Sequence, residues 1–354
     1  MKPLVFLPIY YFLCRNVDRG QQDDRSRSLR TRTRATATTK TYDAVLDWKP
    51  PSEQKIRQTQ QLVMRPMKTL TSSVFYSTDR DGRVHEGLSR LPPQPENRPM
   101  LFVSNHQLVG LDSWLVVNEL LDQCNIFARA LTHPFLYANE PDGTSFLETY
   151  GCLPVSTRNF VRLLQTRQPV LLFPGGVKEA FVQQRQNAYD LTGWAETTDF
   201  VRAAAKYNAT LVPFSSIGAA ESALFWNELP GWKDVAPGVQ DMLQRAAGAR
   251  APTDARYNAV ARQKIIDFPL VFPKPWPARH YFWFHDAVTL PMDYRDRDAC
   301  AAVYRNVKRQ IQDGCTKLVR AAAQDPYRDA FRRVPYEQLT RRSAPSFAVD
   351  VLNE

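Results

Sequence analysis

Short apolar runs alternate with segments of helical periodicity along most of the chain. Runs of strand length, bounded by turn residues, are Met100–Ser104, Asn125–Leu131, Pro169–Phe173, Thr210–Pro213 and His280–Phe284. Between them, apolar residues at mostly three- and four-residue spacings predict helices over Leu111–Leu121, Thr157–Arg167, Thr198–Tyr207 and Asp296–Gln324. This alternation predicts an α/β fold, with one largely parallel mixed sheet flanked by helices.

The segment before the first of these strands is less regular. Gln54–Met64 has weak helical character, and we expect Pro66 to stop that helix. Arg90–Pro99 contains several prolines and is predicted to be a loop. These features suggest four parts: a disordered targeting leader (1–44), an N-terminal approach segment (45–95), the α/β domain (96–335) and a C-terminal tail (336–354).

Composition is that of a globular protein with a small positive excess. The 354 residues are 44% hydrophobic and 23% charged, and 46 Lys and Arg face 36 Asp and Glu. Residues 1–44 hold nine basic and four acidic residues, which is half of the net charge of +10. The remainder is only mildly basic, so nothing in it calls for nucleic acid, although acidic lipid surfaces or phosphate-bearing substrates would suit it. Five cysteines without a Cys-x2-Cys pair argue against a disulfide scaffold or a zinc site and favour a reducing compartment.

The leader has two compositional parts. Pro3–Cys14 is an apolar run too short to span a bilayer, and it resembles the core of a secretory signal. Residues 25–41 are rich in Arg, Ser and Thr and contain no acid, as in organelle transit peptides. Together they predict plastid import. A lone signal peptide, which would give the endoplasmic reticulum, or a disordered basic tail are the alternatives. No later stretch approaches eighteen uninterrupted apolar residues.

The first chemical motif follows the strand Met100–Ser104. His106 comes two residues after the strand, and Asp112 lies six residues further on at the start of a helix. Active groups of open α/β sheets gather at the carboxyl ends of strands. A histidine there can act as a general base, and a carboxylate can orient its ring. The alternative is a helix cap with an exposed histidine.

Two further motifs also follow predicted strands. Gly151-x2-Pro154 leads into a helix whose first turn carries Arg158, which could grip a phosphate or could be a solvated helix residue. Gly175-Gly176 and Lys178 follow Leu172-Phe173-Pro174, where close backbone amides could hold an anion or an oxyanion, unless this is a plain turn. A fourth stretch, residues 198–222, reads mostly as packing, with Glu221 as its one candidate.

The order of these elements resembles a known family. Asn-His-x5-Asp, Gly-x2-Pro-x3-Arg, Phe-Pro-Gly-Gly-x-Lys-Glu-Ala and Val-Pro resemble the glycerolipid acyltransferase blocks. More closely, they are similar to the acyltransferase domain of phytyl ester synthases, which belong with the type 2 diacylglycerol acyltransferases. The resemblance covers about residues 95–335 and implies a glycerolipid-acyltransferase-like domain.

The resemblance also implies a function. An O-acyltransferase would move a fatty acyl group from acyl-CoA or acyl-carrier protein to a lipid alcohol such as phytol or diacylglycerol. The product would be a phytyl ester, triacylglycerol or similar wax-like lipid, and no metal or organic cofactor is implied. His106 would be the catalytic base with Asp112 behind it; the oxyanion or acyl donor would be bound by Gly175, Gly176, Arg158 and Lys178, with support from Asn105, Glu179 and Glu221. A lysophospholipid acyltransferase and an inactive lipid-binding protein remain alternatives.

The chain departs from the family pattern at several points. The general box is His-x4-Asp, whereas Asp112 sits one residue later, and the glycerolipid third block has Glu where this chain has Gly175. The endoplasmic-reticulum enzymes carry a transmembrane hairpin that is missing here. Plant phytyl ester synthases resemble a fusion with an α/β-hydrolase domain; these residues leave no room for one and contain no Gly-x-Ser-x-Gly elbow.

An aromatic segment suggests how a membrane-dissolved acceptor could be reached. Phe268–Phe284 holds seven aromatics in seventeen residues. His280–Phe284 is expected to be a buried strand. Phe268–Pro277 contains four prolines and is expected to be a surface loop, which either folds back or makes a peripheral membrane contact through Phe272 and Trp276.

Overall fold

The computed structural model describes part of the chain, and the described residues are 43–107, 110–132, 147, 150–181, 189–191, 194–225, 271–274 and 277–353. The predicted leader therefore lies almost entirely outside the described residues. Within them, the core of the molecule is one eight-stranded sheet with helices on both faces.

The strands of this sheet stand in the order β2-β1-β10-β7-β3-β6-β4-β5. Their bounds are β1 Val74–Thr78, β2 Val84–Glu86, β3 Met100–Ser104, β4 Arg129–Thr132, β5 Leu153–Pro154, β6 Val170–Leu172, β7 Thr210–Ile217 and β10 Tyr281–Phe284. A separate two-stranded ribbon pairs β8 (Ala223–Phe225) with β9 (Val271–Pro273). Strands β7, β3, β6, β4 and β5 run parallel to one another. The pair β1 and β10 runs the other way, with β2 antiparallel at the edge. The predicted α/β class with a largely parallel mixed sheet is confirmed.

The described helices are α1 Glu53–Thr59, α2 Arg65–Thr71, α3 Leu111–Cys124, α4 Thr157–Gln165, α5 Gly176–Phe181, α6 Asp199–Lys206, α7 Arg297–Ala322, α8 Ala330–Thr340 and α9 Asp350–Asn353. Side-chain caps begin three of the longer ones: Ser156 accepts from Asn159 N, Asp296 from Ala299 N and Asp329 from Phe331 N.

Strand β3 is central because its side chains fill a core on either face. Leu101 and Val103 pack in the core that includes Ile311 of α7. Met100 and Phe102 point the opposite way, into the core that includes Leu120 of α3. All five residues of β3 are buried, which explains the unbroken apolar run in the sequence.

The predicted strands and helices are all present, with shifted ends. The largest shifts are in β4, which begins at Arg129 rather than Asn125, and in β7, which continues past Pro213 to Ile217. Pro213 does not end β7 because strand pairing continues on both sides of it, to Val103 and Ser104 of β3 and to Phe284 of β10.

The prediction that Pro66 stops the first helix is wrong. Helical structure continues from Glu53 to Thr71 through a π-helical turn, Gln60–Met64, in which Arg65 N donates to Gln60 O. Pro66 is the second residue of α2, directly after this turn. The wide turn thus absorbs the break that a proline would otherwise impose.

Three predicted segment boundaries also change. The approach segment 45–95 contributes β1 and β2 to the main sheet, although no strand is predicted there. The C-terminal tail 336–354 is part of the core, because Phe347 and Leu352 are buried in it. At the other end, Asp43 pairs with Arg162, and Ala44 O accepts from Arg129 Nη2 at 2.9 Å, so the packed chain starts before residue 45.

The proline-rich segment is not simply a loop. Val271–Pro273 forms β9, which pairs with β8 alone among the described strands. Proline is tolerated in such edge strands. Phe268–Leu270, Pro275 and Trp276 lie outside the described residues. No helix in the described part of the chain is long and apolar enough to cross a bilayer.

Candidate active site

The candidate site lies at the edge of the sheet where the parallel strands end. His106 follows β3, Phe173 follows β6, and the turn Gly218–Ser222 follows β7. Since β3 pairs with both β6 and β7 in parallel, these three segments emerge side by side. The edge is the one at which open α/β sheets bind ligands.

His106 and Asp112 are brought together as the motif spacing predicts. Nδ1 of His106 lies 3.4 Å from Oδ2 of Asp112. The Asp112 side chain is completely buried, whereas that of His106 is 17% exposed, so the ring is the part that a substrate could reach. Asp112 also accepts two backbone hydrogen bonds, from Gln107 N at 2.9 Å and Ser113 N at 3.0 Å. The carboxylate therefore fixes both the turn and the side of the ring that faces it.

The face of the imidazole ring contacts an aromatic side chain. The His106 ring stacks on Phe173, with centroids 4.3 Å apart and planes inclined by 16°. Gly110 lies next to the ring and has a left-handed φ of 85°, which favours glycine. A Cβ atom at this position would lie 3.6 Å from Cε1 of His106, an ordinary contact distance. Stacking on one side and the carboxylate on Nδ1 leave Nε2 as the nitrogen suited to proton transfer.

Two amide side chains tie the His106 loop to the end of β7. Asn105 Nδ2 donates to Ser216 O at 2.8 Å, and Ser216 N donates back to Asn105 Oδ1 at 2.9 Å. Gln107 Nε2 donates to Ser216 Oγ at 2.7 Å, and Ala220 N donates to Gln107 Oε1 at 3.3 Å. Asn105 is thus buried beside the histidine. Its side chain bonds to the backbone of Ser216 in β7, as a further strand residue of β3 would do with its own backbone. Its position is that of a support and not of a reacting group.

The turn Pro174–Gly176 brings a second carboxylate close to the first. A Cβ on Gly175 would clash with the Glu179 side chain, so only glycine fits beneath it. Glu179 Oε2 accepts from Trp194 Nε1 at 3.1 Å. Gly176 has a φ of 55°, and its N–H donates to Phe173 O at 3.0 Å. That amide is therefore used within the turn, and Gly175 is the member of the glycine pair whose N–H is better suited to an oxyanion.

Burial raises the pKa of Glu179 to about 8, against the lowering effects of the His106 backbone N–H and of Trp194. The charge of Asp112 raises this pKa further, and that of Lys308 lowers it. Glu179 is thus mostly protonated at neutral pH.

The two predicted phosphate contacts lie differently. Arg158 is exposed in the first turn of α4, directly after β5. In the order β3-β6-β4-β5, three strand spacings of about 4.8 Å separate its strand from β3, roughly 14 Å. Lys178 stands on α5, but its side chain lies outside what the structure describes. Arg158 is therefore on the right edge and too far along it to touch the reacting atoms.

Glu221 is held in an ionic cluster beyond β7. Its Oε1 accepts from Tyr189 Oη at 3.1 Å, and its Oε2 pairs with Arg328 Nη2 at 2.9 Å. Lys274 Nζ donates to the Glu221 backbone O at 2.6 Å. These contacts join the turn after β7 to the end of β9 and to the connection between α7 and α8. Glu221 is the residue next to Ala220, the partner of Gln107.

Two known proteins align with most of the chain. Phytyl ester synthase 1, chloroplastic, of Arabidopsis thaliana is 31% identical over 319 residues, which are 86% of this chain and 44% of that protein. Phytyl ester synthase 2, chloroplastic, of the same plant is 29% identical over 308 residues, 84% of this chain and 43% of that protein. The chain is a homologue of the phytyl ester synthases. The resemblance drawn from the four motifs is thereby confirmed, and the chain spans less than half the length of either relative.

Other comparisons add little to this homology. No family model matches the chain. Among solved structures, the 1-acyl-sn-glycerophosphate (LPA) acyltransferase PlsC from Thermotoga maritima aligns with 73% of this chain and 82% of that one. The sequence identity is 12% and the TM-score 0.34, a likeness too weak to argue from.

Three residues of the site in this phytyl ester synthase homologue have no role predicted from the sequence, although Phe173 is part of the Phe-Pro-Gly-Gly motif. Phe173 stacks on the ring of His106, and Gln107 connects the His106 loop to β7 by a hydrogen bond to Ser216. Trp194 donates a hydrogen bond to Glu179. The position of Gln107 in the turn that follows a buried strand, next to His106, is a signal that could have found it. Trp194 gives no such signal, because it reaches Glu179 only through the tertiary fold.

Proposed function

We propose that the chain is an O-acyltransferase that moves a fatty acyl group from a thioester donor to a lipid alcohol. The observation that carries this proposal is the partly exposed His106 ring, held between Asp112 and Phe173 at the ligand-binding edge of the sheet. The homology to two phytyl ester synthases supports it. The acceptor is proposed to be phytol or diacylglycerol, and the donor acyl-CoA or acyl-carrier protein.

In the proposed reaction, His106 acts as the general base. Nε2 removes the proton from the acceptor hydroxyl while the alkoxide oxygen attacks the thioester carbonyl carbon. Nδ1–H then faces the Asp112 carboxylate, which stabilises the imidazolium. Collapse of the tetrahedral intermediate expels the thiolate, which takes the proton back from Nε2. No bond to the protein forms, so no nucleophilic serine or cysteine is needed.

The oxyanion of that intermediate is proposed to lie at the turn before α5. The Gly175 N–H and the amides of Val177 and Lys178 in the first turn of α5 are suited to it, whereas the Gly176 N–H is already bonded to Phe173 O. One such hydrogen bond can be worth roughly 3 kcal/mol in the transition state. Lys178, on the same turn, and the more distant Arg158 are proposed to bind the phosphates of the donor.

We further propose that the protein works in the plastid and meets its lipid acceptor as a peripheral membrane protein. The leader composition and the chloroplastic relatives support the first part. The aromatic segment Phe268–Pro277 is proposed to contribute to the second, because Lys274, one of its described residues, lies at the edge of the sheet that carries His106.

An esterification assay tests the proposal. Purified chain is given acyl-CoA or acyl-carrier protein with phytol or diacylglycerol, and ester formation is measured by mass spectrometry. His106→Ala should lower kcat by at least about 100-fold, the range typical of general-base removal. His85→Ala is the matched control. This histidine pairs with Asp79 and lies on the outermost strand β2, four strands away from β3. Near-normal turnover by folded His106→Ala would refute the mechanism. Lipid binding by wild-type protein without turnover would instead indicate a binding protein.

A further inference from the structure

Helix α8 presents an apolar stripe to solvent. Phe331, Pro335 and Leu339 follow one another at four-residue spacing and so lie along one side of the helix. Phe331 is 78% exposed and Leu339 85% exposed. Arg332, Arg341 and Arg342 are exposed beside them. We call these six residues the α8 face.

The opposite side of α8 is fixed to the body of the protein, so the direction of the face is determined. Arg333 is buried, and its Nη2 donates to Pro277 O at 3.0 Å. Glu337 Oε1 accepts from Ser72 Oγ at 2.6 Å and from Ala344 N at 3.0 Å. With these contacts inward, Phe331 and Leu339 cannot turn into the core without breaking them.

The anchors also place the α8 face at the catalytic edge. Ser72 precedes β1 and Pro277 precedes β10, and these two strands run opposite to β7. Tyr281, the first residue of β10, pairs with Ile217, the last of β7. The starts of β1 and β10 therefore lie at the same edge as the ends of β3 and β7, where His106 stands.

We infer that the α8 face docks on an anionic lipid surface, beside the mouth of the site. On the α8 face, the helix carries an aromatic and an aliphatic side chain and one arginine, and two more arginines follow directly after its end. This composition is typical of a helix that lies in a membrane interface. The acids near the face are Asp329 and Glu337. The three exposed arginines outnumber them, so the net charge of this surface is positive. The inference rests on the proposed function in one respect: acyl transfer to a lipid alcohol gives the protein a reason to contact a lipid surface.

A second copy of the chain fits this face less well. A stable protein interface buries about 800 Å² on each partner. Three apolar side chains on an eleven-residue helix offer much less, and facing copies would bring their arginines together. A membrane accepts a small apolar stripe and supplies the negative charge.

Vesicle flotation with the full chain tests the inference. The vesicles are phosphatidylcholine with about one third phosphatidylglycerol, an anionic surface. Phe331→Ser/Leu339→Ser should weaken partitioning by at least about tenfold, because two apolar side chains no longer leave water. Leu46→Ser/Met292→Ser is the matched control. It removes two exposed apolar side chains near the opposite edge of the sheet and should change partitioning less than about twofold. Both variants keep residues 1–44, so any contribution of those residues is common to them.

A charge variant provides the second arm. Arg332→Gln/Arg341→Gln/Arg342→Gln should weaken flotation on the anionic vesicles and leave binding to pure phosphatidylcholine vesicles unchanged. Flotation of Phe331→Ser/Leu339→Ser equal to wild type would overturn the inference. So would light scattering that shows a wild-type dimer which this variant dissociates. Flotation is independent of turnover, so a chain that floats as expected but forms no ester would refute the proposed function and leave the lipid surface standing.

Discussion

At the scale of single residues, Asp112 does more than face the histidine. Its two oxygens accept backbone hydrogen bonds from Gln107 and Ser113 in a fully buried position. An asparagine can accept with only one of its side-chain atoms, so one of these N–H groups would lose its partner.

Asp112→Asn should therefore lower both activity and stability. We expect a smaller fall in kcat than for His106→Ala, with an unchanged KM, because the base itself remains. The unpaired buried N–H should cost about 1–3 kcal/mol of unfolding free energy, measured by chemical denaturation. A variant as stable as wild type would contradict the role of Asp112 in holding the turn.

Gly175 and Gly176 are expected to respond differently to a methyl group. In Gly175→Ala the new Cβ meets the Glu179 side chain, so the carboxyl group must leave its place beside Trp194 and the His106 backbone. Overpacking of this kind costs about 1–3 kcal/mol, and we expect at least a tenfold loss of kcat. Gly176→Ala meets no atom within 4 Å and suffers only the strain of a φ of 55°, about 1 kcal/mol.

Melting temperatures and kcat values of the two alanine variants test whether Gly175→Ala is the more damaging substitution. Equal effects would mean that the glycines serve only the shape of the turn and that Glu179 does not depend on Gly175.

The pair of His106 and Asp112 could be predicted from sequence because both residues lie in one short turn. The site around them could not. Phe173 reaches His106 only because β6 is the neighbour of β3, and strand order is not written in local periodicity. The same holds for the pairing of Asn105 with Ser216, 111 residues further along the chain.

At the scale of elements, sequence periodicity found the buried strands and the amphipathic helices, since burial on one or both sides leaves a pattern. It missed β1, whose apolar run is followed by the polar Ser77 and Thr78, and β2, which has only three residues. It also ended a helix at Pro66, because the π-helical turn that accommodates the proline depends on packing and not on composition.

The N-terminal segment makes a prediction about processing. Arg129 is buried, donates to Ala44 O, and lies with its guanidinium 3.7 Å from the ring centroid of Trp48. A mature chain that begins between Thr31 and Asp43 keeps these contacts. We expect the N-terminus of the imported protein, determined by mass spectrometry, to fall there.

Two truncations check the physical reason. A chain that starts at Asp43 should melt like the full chain, whereas one that starts at Lys49 should lose at least about 2 kcal/mol. A mature N-terminus after Trp48 would contradict the prediction. A fluorescent fusion of residues 1–60 that stays in the endoplasmic reticulum would overturn plastid import without touching the chemistry.

At the scale of the whole molecule, three buried ionisable groups set how stability depends on pH. Burial raises the pKa of Glu179 to about 8 from its ordinary value of 4.5. Burial lowers the pKa of His285 from 6.5 to about 3, and burial together with the charge of Arg333 does the same for His280. Both imidazoles stay neutral in hydrogen bonds to serines, His285 to Ser215 and His280 to Ser222.

These shifts act in opposite directions on the free energy of unfolding. As pH falls from about 6.5 towards 3, the unfolded chain binds a proton on each of the two histidines that the folded chain refuses, so stability is lost. As pH rises from about 4.5 to 8, the unfolded chain releases the Glu179 proton that the folded chain keeps, so stability is again lost. Below about pH 6.5 the effect of the two histidines on stability exceeds that of Glu179. Above that pH, of these three groups, only Glu179 still changes the free energy of unfolding. The melting temperature should therefore be highest near pH 6.5.

Glu179→Gln isolates the upper half of this profile. The amide has the shape of the protonated acid, so the variant should match wild type at about pH 4.5 and exceed it increasingly up to about pH 8, by a few kcal/mol at most. Above pH 8 the difference should stay constant, because Glu179 is then ionised in both states. Calorimetric melting of both proteins from pH 4.5 to 9 measures the difference. A constant gap across that range would mean that Glu179 is already ionised in the folded protein, with a second negative charge beside Asp112.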